Sequence, residues 1–349
     1  MKINFLHIFA QMKKSVFIIF MLIFQNIGTF SQNLTDSIKW LKLETVGERF
    51  AKQQKPVLIY FYTKNCDSCR VMEQTTFSNP EVANYINILY YPVKIDAETA
   101  DSLQFFNGQK YGKSITNAPY NDLTKTLLVQ PDTFPAMVIF NRKAVGHVFK
   151  GFKNRDEIFR PLIYYAEDID LSVEYSDWLK IHKKGYPPGK TQMMTRLLVK
   201  WKTLDEATAE NKSVQKKMLL NFYNYNKISC TLMRTQIFNN STIASYLNDK
   251  YNCVNIDVFT EDTLKIFGQQ YINENQPYKY HQLPIAALDG QMIFPAFIVL
   301  DENGKVLEKI RNFVTPQMLE PILHYYGDND YKKVLWNDFK SKFKNTVSD

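Results

Sequence analysis

The chain has 349 residues, 45% of them hydrophobic and 22% charged, with a formal net charge of +8. That length accommodates two ordinary domains, each with its own core, and the composition is globular and excludes a disordered chain. Four cysteines are too few for a disulfide-stapled scaffold, so folding must rest on packed interiors.

Residues 1–31 read as a signal peptide. Lys13-Lys14 precede the apolar run Val16–Phe24, and Thr29-Phe30-Ser31 place small residues at the −3 and −1 positions of a cleavage site. Met12 offers an alternative start that makes this segment compact. The run is short for a spanning helix, so membrane contact is expected only if the segment stays uncleaved. No cysteine lies at the cleavage point to carry a lipid. Loss of Lys2, Lys13 and Lys14 lowers the charge from +8 to +5, and the mature chain is expected to be exported.

A first domain is expected over 32–168. A helix around 36–53 leads to the apolar strand 56–62, and Cys66-Asp67-Ser68-Cys69 follows at a strand-to-helix junction. Two cysteines separated by two residues at such a junction form the arrangement used in thiol–disulfide exchange. The helix should run to about 87, before a strand ending in Ile95-Asp96. A helix over 98–111 comes next, and a long connection over 107–133 is expected to restrict access to Cys66 as a lid. Strands 135–140 and 145–150 and a final amphipathic helix carrying Pro161 complete the unit. Phe77, Tyr85, Phe105 and Phe106 are expected in the core.

Residues 169–198 read as a linker, with the breaker cluster Tyr186-Pro187-Pro188-Gly189 and a short helix around Trp178–His182. Basic residues from Lys180 to Lys202 cluster here. Such runs are usually solvated faces, and with no nucleic-acid motif beside them no nucleic-acid partner is expected.

The second domain, 199–327, is a repeat of the first. Laying 55–96 on 216–257 without gaps gives 17 identities in 42 positions, among them Phe61/Phe222, Asn65/Asn226, Ser68/Ser229, Cys69/Cys230 and Asp96/Asp257. After a one-residue slip the match resumes at Phe134-Pro135-Ala136 and Phe294-Pro295-Ala296. A period this long, occurring twice, indicates two copies of one domain. Helices are expected over 199–213 and 260–272, strands over 217–223, 295–300 and 305–310, and Asp301-Glu302-Asn303-Gly304 marks a hairpin. Continuous apolar strands alternating with helices give an α/β fold class: two tandem domains, each a central mixed sheet with helices on both faces. Residues 328–349 form a polar, helical C-terminal tail.

The strand, the Cys-x-x-Cys helix and the late X-Pro strand resemble the thioredoxin superfamily. The run from Lys55-Pro56-Val57 through Cys66-x-x-Cys69 and Met72-Glu73 to Phe77-Ser78-Asn79-Pro80 is similar to its exported members, which include periplasmic disulfide-reductase modules. The resemblance covers nearly the whole mature chain, strongly in the first copy and in degenerate form in the second. It implies Cys66 as the attacking thiol and Cys69 as the resolving thiol of a redox-active disulfide. It also implies Pro135 as a cis-proline facing that disulfide, with the Phe134 backbone binding extended substrate. No cofactor is expected. The implied partners are protein or peptide disulfides and a redox partner that resets Cys66–Cys69, and the implied compartment is the periplasm of a Gram-negative bacterium. The C-terminus Thr346-Val347-Ser348-Asp349 is no retention signal, which disfavours a eukaryotic tandem isomerase.

Departures from the family pattern are visible. Asn65 stands where the family usually has Trp, Tyr60 stands where many members carry a buried acid, and Asp67 should repel a thiolate on Cys66. Lys94, at the position of a family lysine, is a candidate alternative base. In the second copy Lys227-Ile228-Ser229-Cys230 lacks the attacking thiol, which leaves either a docking surface around Pro295 or a stabilising spacer. A zinc site would need two more ligands, and Cys230 and Cys253 lack paired spacing, so no metal is expected. His147 and His324 have no partner set for catalysis. The expected function is a protein disulfide oxidoreductase, with the reductase direction favoured. The alternative is a non-catalytic peptide-binding or chaperone-like module in which Cys66–Cys69 is a static disulfide.

Overall fold

The computed structural model describes residues 37–187, 196–274 and 280–347; the expected signal peptide and the Pro188-Gly189 end of the breaker cluster lie outside them. In the first copy β1 (Val57–Tyr62) lies parallel to β2 (Tyr91–Asp96) and antiparallel to β5 (Ala136–Phe140), which pairs with β6 (Gly146–Lys150). The sheet order is β2-β1-β5-β6, and β8-β7-β11-β12 repeats it in the second copy with β7 (Lys217–Tyr223), β8 (Tyr251–Asp257), β11 (Ala296–Leu300) and β12 (Val306–Arg311).

Side-chain alternation in the central strands separates the core layers. Leu58 and Tyr60 face one side of the first sheet, and Val57, Ile59 and Phe61 face the other. On the first side lie α3 (Pro80–Leu89) and α5 (Arg155–Ala166), through Ile86, Ile158 and Leu162; on the second lie α1 (Val46–Lys52) and α4 (Asp122–Leu128), through Val46, Leu123 and Leu128. Helices therefore cover both faces of a mixed sheet, as expected. The second copy repeats this with α7 (Leu204–Asn211), α9 (Ser241–Lys250), α10 (Gln282–Ala287) and α11 (Pro316–Gly327). Among the described residues no helix is long and apolar enough to cross a membrane.

Two expected elements are corrected. The helices over 98–111 and 260–272 are β-hairpins: β3 (Leu103–Gln104) with β4 (Lys110–Tyr111), and β9 (Leu264–Ile266) with β10 (Gln269–Tyr271). The reason is local. Gly108 sits at φ +86°, and Phe267-Gly268 take φ +47° and +82°, backbone that turns a chain back and that no helix contains. Helix α1 is also shorter than expected. Residue Leu41 instead bridges β2 at Val93, and Lys202 bridges Val254 in the second copy.

The join between the copies is a folded element. Residues 169–185 form a 3-10 turn (Ile169–Leu171) and α6 (Tyr175–Gly185). Trp178 is fully buried, donates its indole N–H to the Arg160 carbonyl at 3.0 Å and meets Phe313 of the second copy edge-on. The C-terminal tail repeats this unit with a 3-10 turn (Asp330–Lys332) and α12 (Trp336–Lys342). The left-handed residues Asp168 and Asn329 correspond, as do the Tyr164–Val173 and Tyr325–Val334 hydrogen bonds. One hydrophobic cluster runs through both copies across α6.

Candidate active site

Strand β1 delivers the chain to Cys66, which caps α2 (Asp67–Met72) in extended conformation. A π-helical turn, Glu73–Phe77, prolongs α2. Cys66 and Cys69 form a disulfide with their Cα atoms 5.2 Å apart. The Cys69 backbone N–H donates to Cys66 Sγ at 3.0 Å, a donor suited to hold negative charge on that sulfur. The two sulfurs differ in access: Cys66 is half-buried, whereas Cys69 is 2% exposed. One can meet a second protein and the other can act only on its neighbour.

Strand β5 brings the second element of the site. Ala136 pairs with Phe61, so the cis Phe134–Pro135 peptide lies beside the cysteine turn. Ser68 links the two: its hydroxyl donates to the Phe134 carbonyl at 3.1 Å and lies 3.4 Å from Cys66 Sγ. Within 107–133, expected as a lid, the chain forms β4 and α4, and Tyr120 packs on Phe134 with ring centroids 5.4 Å apart. Asp67 points into solvent and bonds Arg70 at 2.5 Å, which offsets the repulsion expected toward Cys66.

Behind Cys69 stands a set that sequence reasoning only half found. Tyr60 is fully buried and donates weakly to the Cys69 carbonyl at 3.4 Å. Burial, and then Glu73, raise its phenol above the ordinary tyrosine range. Lys94 bonds Glu73 at 2.7 Å and lies 4.5 Å from the centre of the Tyr62 ring. The carboxylate missing from β1 is thus supplied from the helix. Its sequence signal was the i, i+4 spacing from Cys69.

The second copy has lost all of this together. Asn221, Asn255 and Arg234 replace Tyr60, Lys94 and Glu73, with Asn221 donating to Asn255 at 2.7 Å. Lys227 stands at the Cys66 position ahead of α8 (Ile228–Leu232), and its ammonium reaches the Phe294 carbonyl at 3.4 Å. The α8 N-terminus is filled from the first copy: Glu167, 3% exposed, accepts from the backbone N–H groups of Ile228 and Ser229 at 3.0 and 2.8 Å, and from Tyr85 at 3.2 Å. Nothing in the sequence pattern pointed to Glu167. Cys230 and Cys253 are buried free thiols, each pushed up to about 12 by burial, and they lie in different core layers. His147 stacks on Tyr165, and His324 bonds Asp328 at 2.9 Å. Among the described residues no group of three or more His, Cys, Asp or Glu side chains is placed to hold a metal.

The profile of a family described as a thioredoxin-like domain matches residues 44–166 and again 204–327. No curated protein matches the chain. Similar solved structures include a thioredoxin-fold protein from Helicobacter pylori, at 15% identity over 46% of this chain and 91% of that one, with a TM-score of 0.29. A thioredoxin from Thermus thermophilus matches at 13% identity over 37% and 88%, with a TM-score of 0.29. The oxidised C-terminal domain of DsbD from Neisseria meningitidis matches at 17% identity over 35% and 90%, with a TM-score of 0.25. At these values the three carry no argument about activity.

Proposed function

The chain belongs to the thioredoxin-like domain family, in two tandem copies, and from that premise we propose that it is an exported thiol–disulfide oxidoreductase with one working site. The observation that carries the reading is the unequal access to the two sulfurs of the Cys66–Cys69 disulfide, set beside the Phe134–Pro135 strand entry. In the reducing direction the Cys66 thiolate attacks a substrate disulfide, forming a mixed disulfide and expelling one substrate thiolate. The Cys69 thiolate then attacks Cys66 Sγ, re-forming Cys66–Cys69 and releasing the second substrate thiolate. Two electrons pass to the substrate, and the oxidised site is the form seen here. A dithiol donor must restore it, because each turnover leaves Cys66–Cys69 oxidised by two electrons.

Lys94, paired with Glu73, serves as a charge partner behind Cys69 rather than as a free base. The Phe134 carbonyl and the Pro135 turn form the edge on which extended substrate pairs. Export and a periplasmic location rest on residues 1–31. The second copy is a buttress: Glu167 and Lys227 occupy the positions through which it would otherwise receive a substrate.

The test is a redox titration of the mature chain in glutathione buffers, reading Cys66–Cys69, together with insulin reduction. A reversible midpoint below the poise of its compartment, with activity lost in Cys66→Ser, supports an electron donor. A midpoint above that poise reverses the direction. Absence of reversible exchange overturns the reading and leaves a disulfide-braced binding module.

A further inference from the structure

Ser68 holds one proton between two acceptors. Its oxygen lies 3.1 Å from the Phe134 carbonyl and 3.4 Å from Cys66 Sγ. A hydroxyl can donate to only one of them at a time. A disulfide sulfur is a weak acceptor, so in the oxidised site the proton belongs to the carbonyl. A thiolate is charged, and hydrogen bonds to ionised acceptors are roughly twice as strong as neutral ones. Reduction therefore turns the preference toward sulfur, through rotation of a side chain already in place.

We propose that Ser68 is a one-proton switch that couples substrate docking to thiolate stabilisation at Cys66, an inference that rests on the exchange reading above. An extended substrate offers a backbone N–H to the Phe134 carbonyl. A second donor on that oxygen weakens the bond from Ser68 and so shifts the hydroxyl toward the sulfur, where it joins the Cys69 N–H. When Cys66 enters a mixed disulfide its charge is gone. The hydroxyl then returns to the carbonyl and, as a second donor on one oxygen, weakens its bond to the bound chain, which favours release. No proton leaves Ser68 at any stage, and no bond other than hydrogen bonds changes at this residue.

The second copy supplies the contrast. Ser229 is retained there, yet it is fully buried and its hydroxyl makes no hydrogen bond to Phe294. The Phe294 carbonyl is held instead by Lys227, the residue at the Cys66 position. The bridging arrangement exists only beside the nucleophile. It was not visible in the sequence, because the same serine stands in both copies.

The test uses the full mature chain, reduced, and follows iodoacetamide alkylation of the Cys66 peptide by mass spectrometry as a function of pH. Ser68→Ala is expected to raise the midpoint of the alkylation profile by roughly one pH unit, the loss of one hydrogen bond to a charged group. Ser68→Thr keeps a hydroxyl and should restore the wild-type midpoint. With a peptide disulfide, Ser68→Ala should lower kcat without raising KM, since the Phe134 carbonyl is then uncontested. Equal midpoints for wild type and Ser68→Ala overturn the switch, as does a Ser68→Thr midpoint that follows alanine. Failure of the oxidoreductase reading looks different: no glutathione exchange in wild type, whatever the alkylation profiles.

Discussion

The helix that follows the first strand begins openly in one copy and is stoppered in the other. At α2 the N-terminal position is Cys66, half-buried and disulfide-bonded to a shielded Cys69. At α8 it is Lys227, and the N–H groups of the next two residues are satisfied by Glu167 from the neighbouring copy. A helix N-terminus favours negative charge, and the two copies meet it differently: the disulfide sulfur of Cys66 accepts from Cys69 N–H at α2, and the Glu167 carboxylate accepts at α8. Packing follows the same division. Val71 and Phe152 of the first copy are 44% and 39% exposed, while their counterparts Leu232 and Phe313 are fully buried, in contact with the α6 unit. The face left open in one domain is the face used for assembly in the other.

The largest effect should come from exchanging cysteines. Cys66→Ser is expected to abolish insulin reduction, and Cys230→Ser to leave it unchanged, because that thiol is buried and pushed up to about 12. Lys227→Cys rebuilds Cys-x-x-Cys in the second copy without rebuilding a site. The nearby Glu167 carboxylate disfavours a thiolate, so its alkylation rate at neutral pH should be at least about tenfold below that of Cys66. A rate equal to that of Cys66 would show that the stopper is no barrier.

Removing the wedge comes next. Trp178→Ala empties a fully buried site between the copies and should cost about 3–5 kcal/mol in denaturant unfolding, with the second copy destabilised along with the first. Independent unfolding of an unaffected second copy would mean that the shared cluster does not couple them.

The interface also carries a pH dependence. His182, 5% exposed, stacks on Tyr186 beside Trp178, and burial first, then the Arg160 charge, lowers it from 6.5 to about 4, with Asp156 opposing. A depressed folded-state value means that the unfolded chain binds the proton first. Stability is thus complete above about 6.5 and falls as pH drops toward 4, by up to about 3 kcal/mol. Phe343 occupies the corresponding place in the second copy, so His182→Phe should flatten the pH–stability curve in that window. An unchanged slope would assign the dependence to other groups.

The smallest effect should be at the stopper itself. Glu167→Ala strips one buried and one half-buried N–H group of their acceptor and should cost about 2–3 kcal/mol, read as a lower denaturation midpoint, with insulin reduction by Cys66–Cys69 changed less than twofold.

Much of this was legible in residues alone. The repeat, the apolar strands and the Cys-x-x-Cys turn are local patterns, and local patterns place strands, turn chemistry and a reactive pair. The hairpins at Gly108 and Gly268 are less legible, because amphipathic spacing outweighs a turn signal present in the same residues. Residues 169–185 look polar enough for a linker, yet Trp178, Ile169 and Val173 are buried in the hydrophobic cluster that runs through both copies.

By itself the sequence determined that two copies of one domain exist and that only the first carries the Cys-x-x-Cys pair, since that depends on which atom stands at position 66 or 227. Tertiary structure decided the rest. Glu73 comes to Lys94, Ser68 to Phe134 and Glu167 to Ser229 across separations of 21, 66 and 62 residues. No periodicity encodes such meetings. They follow from the packing of helices on the sheets, which brings charges and hydroxyls to helix ends and strand carbonyls that must be satisfied once buried.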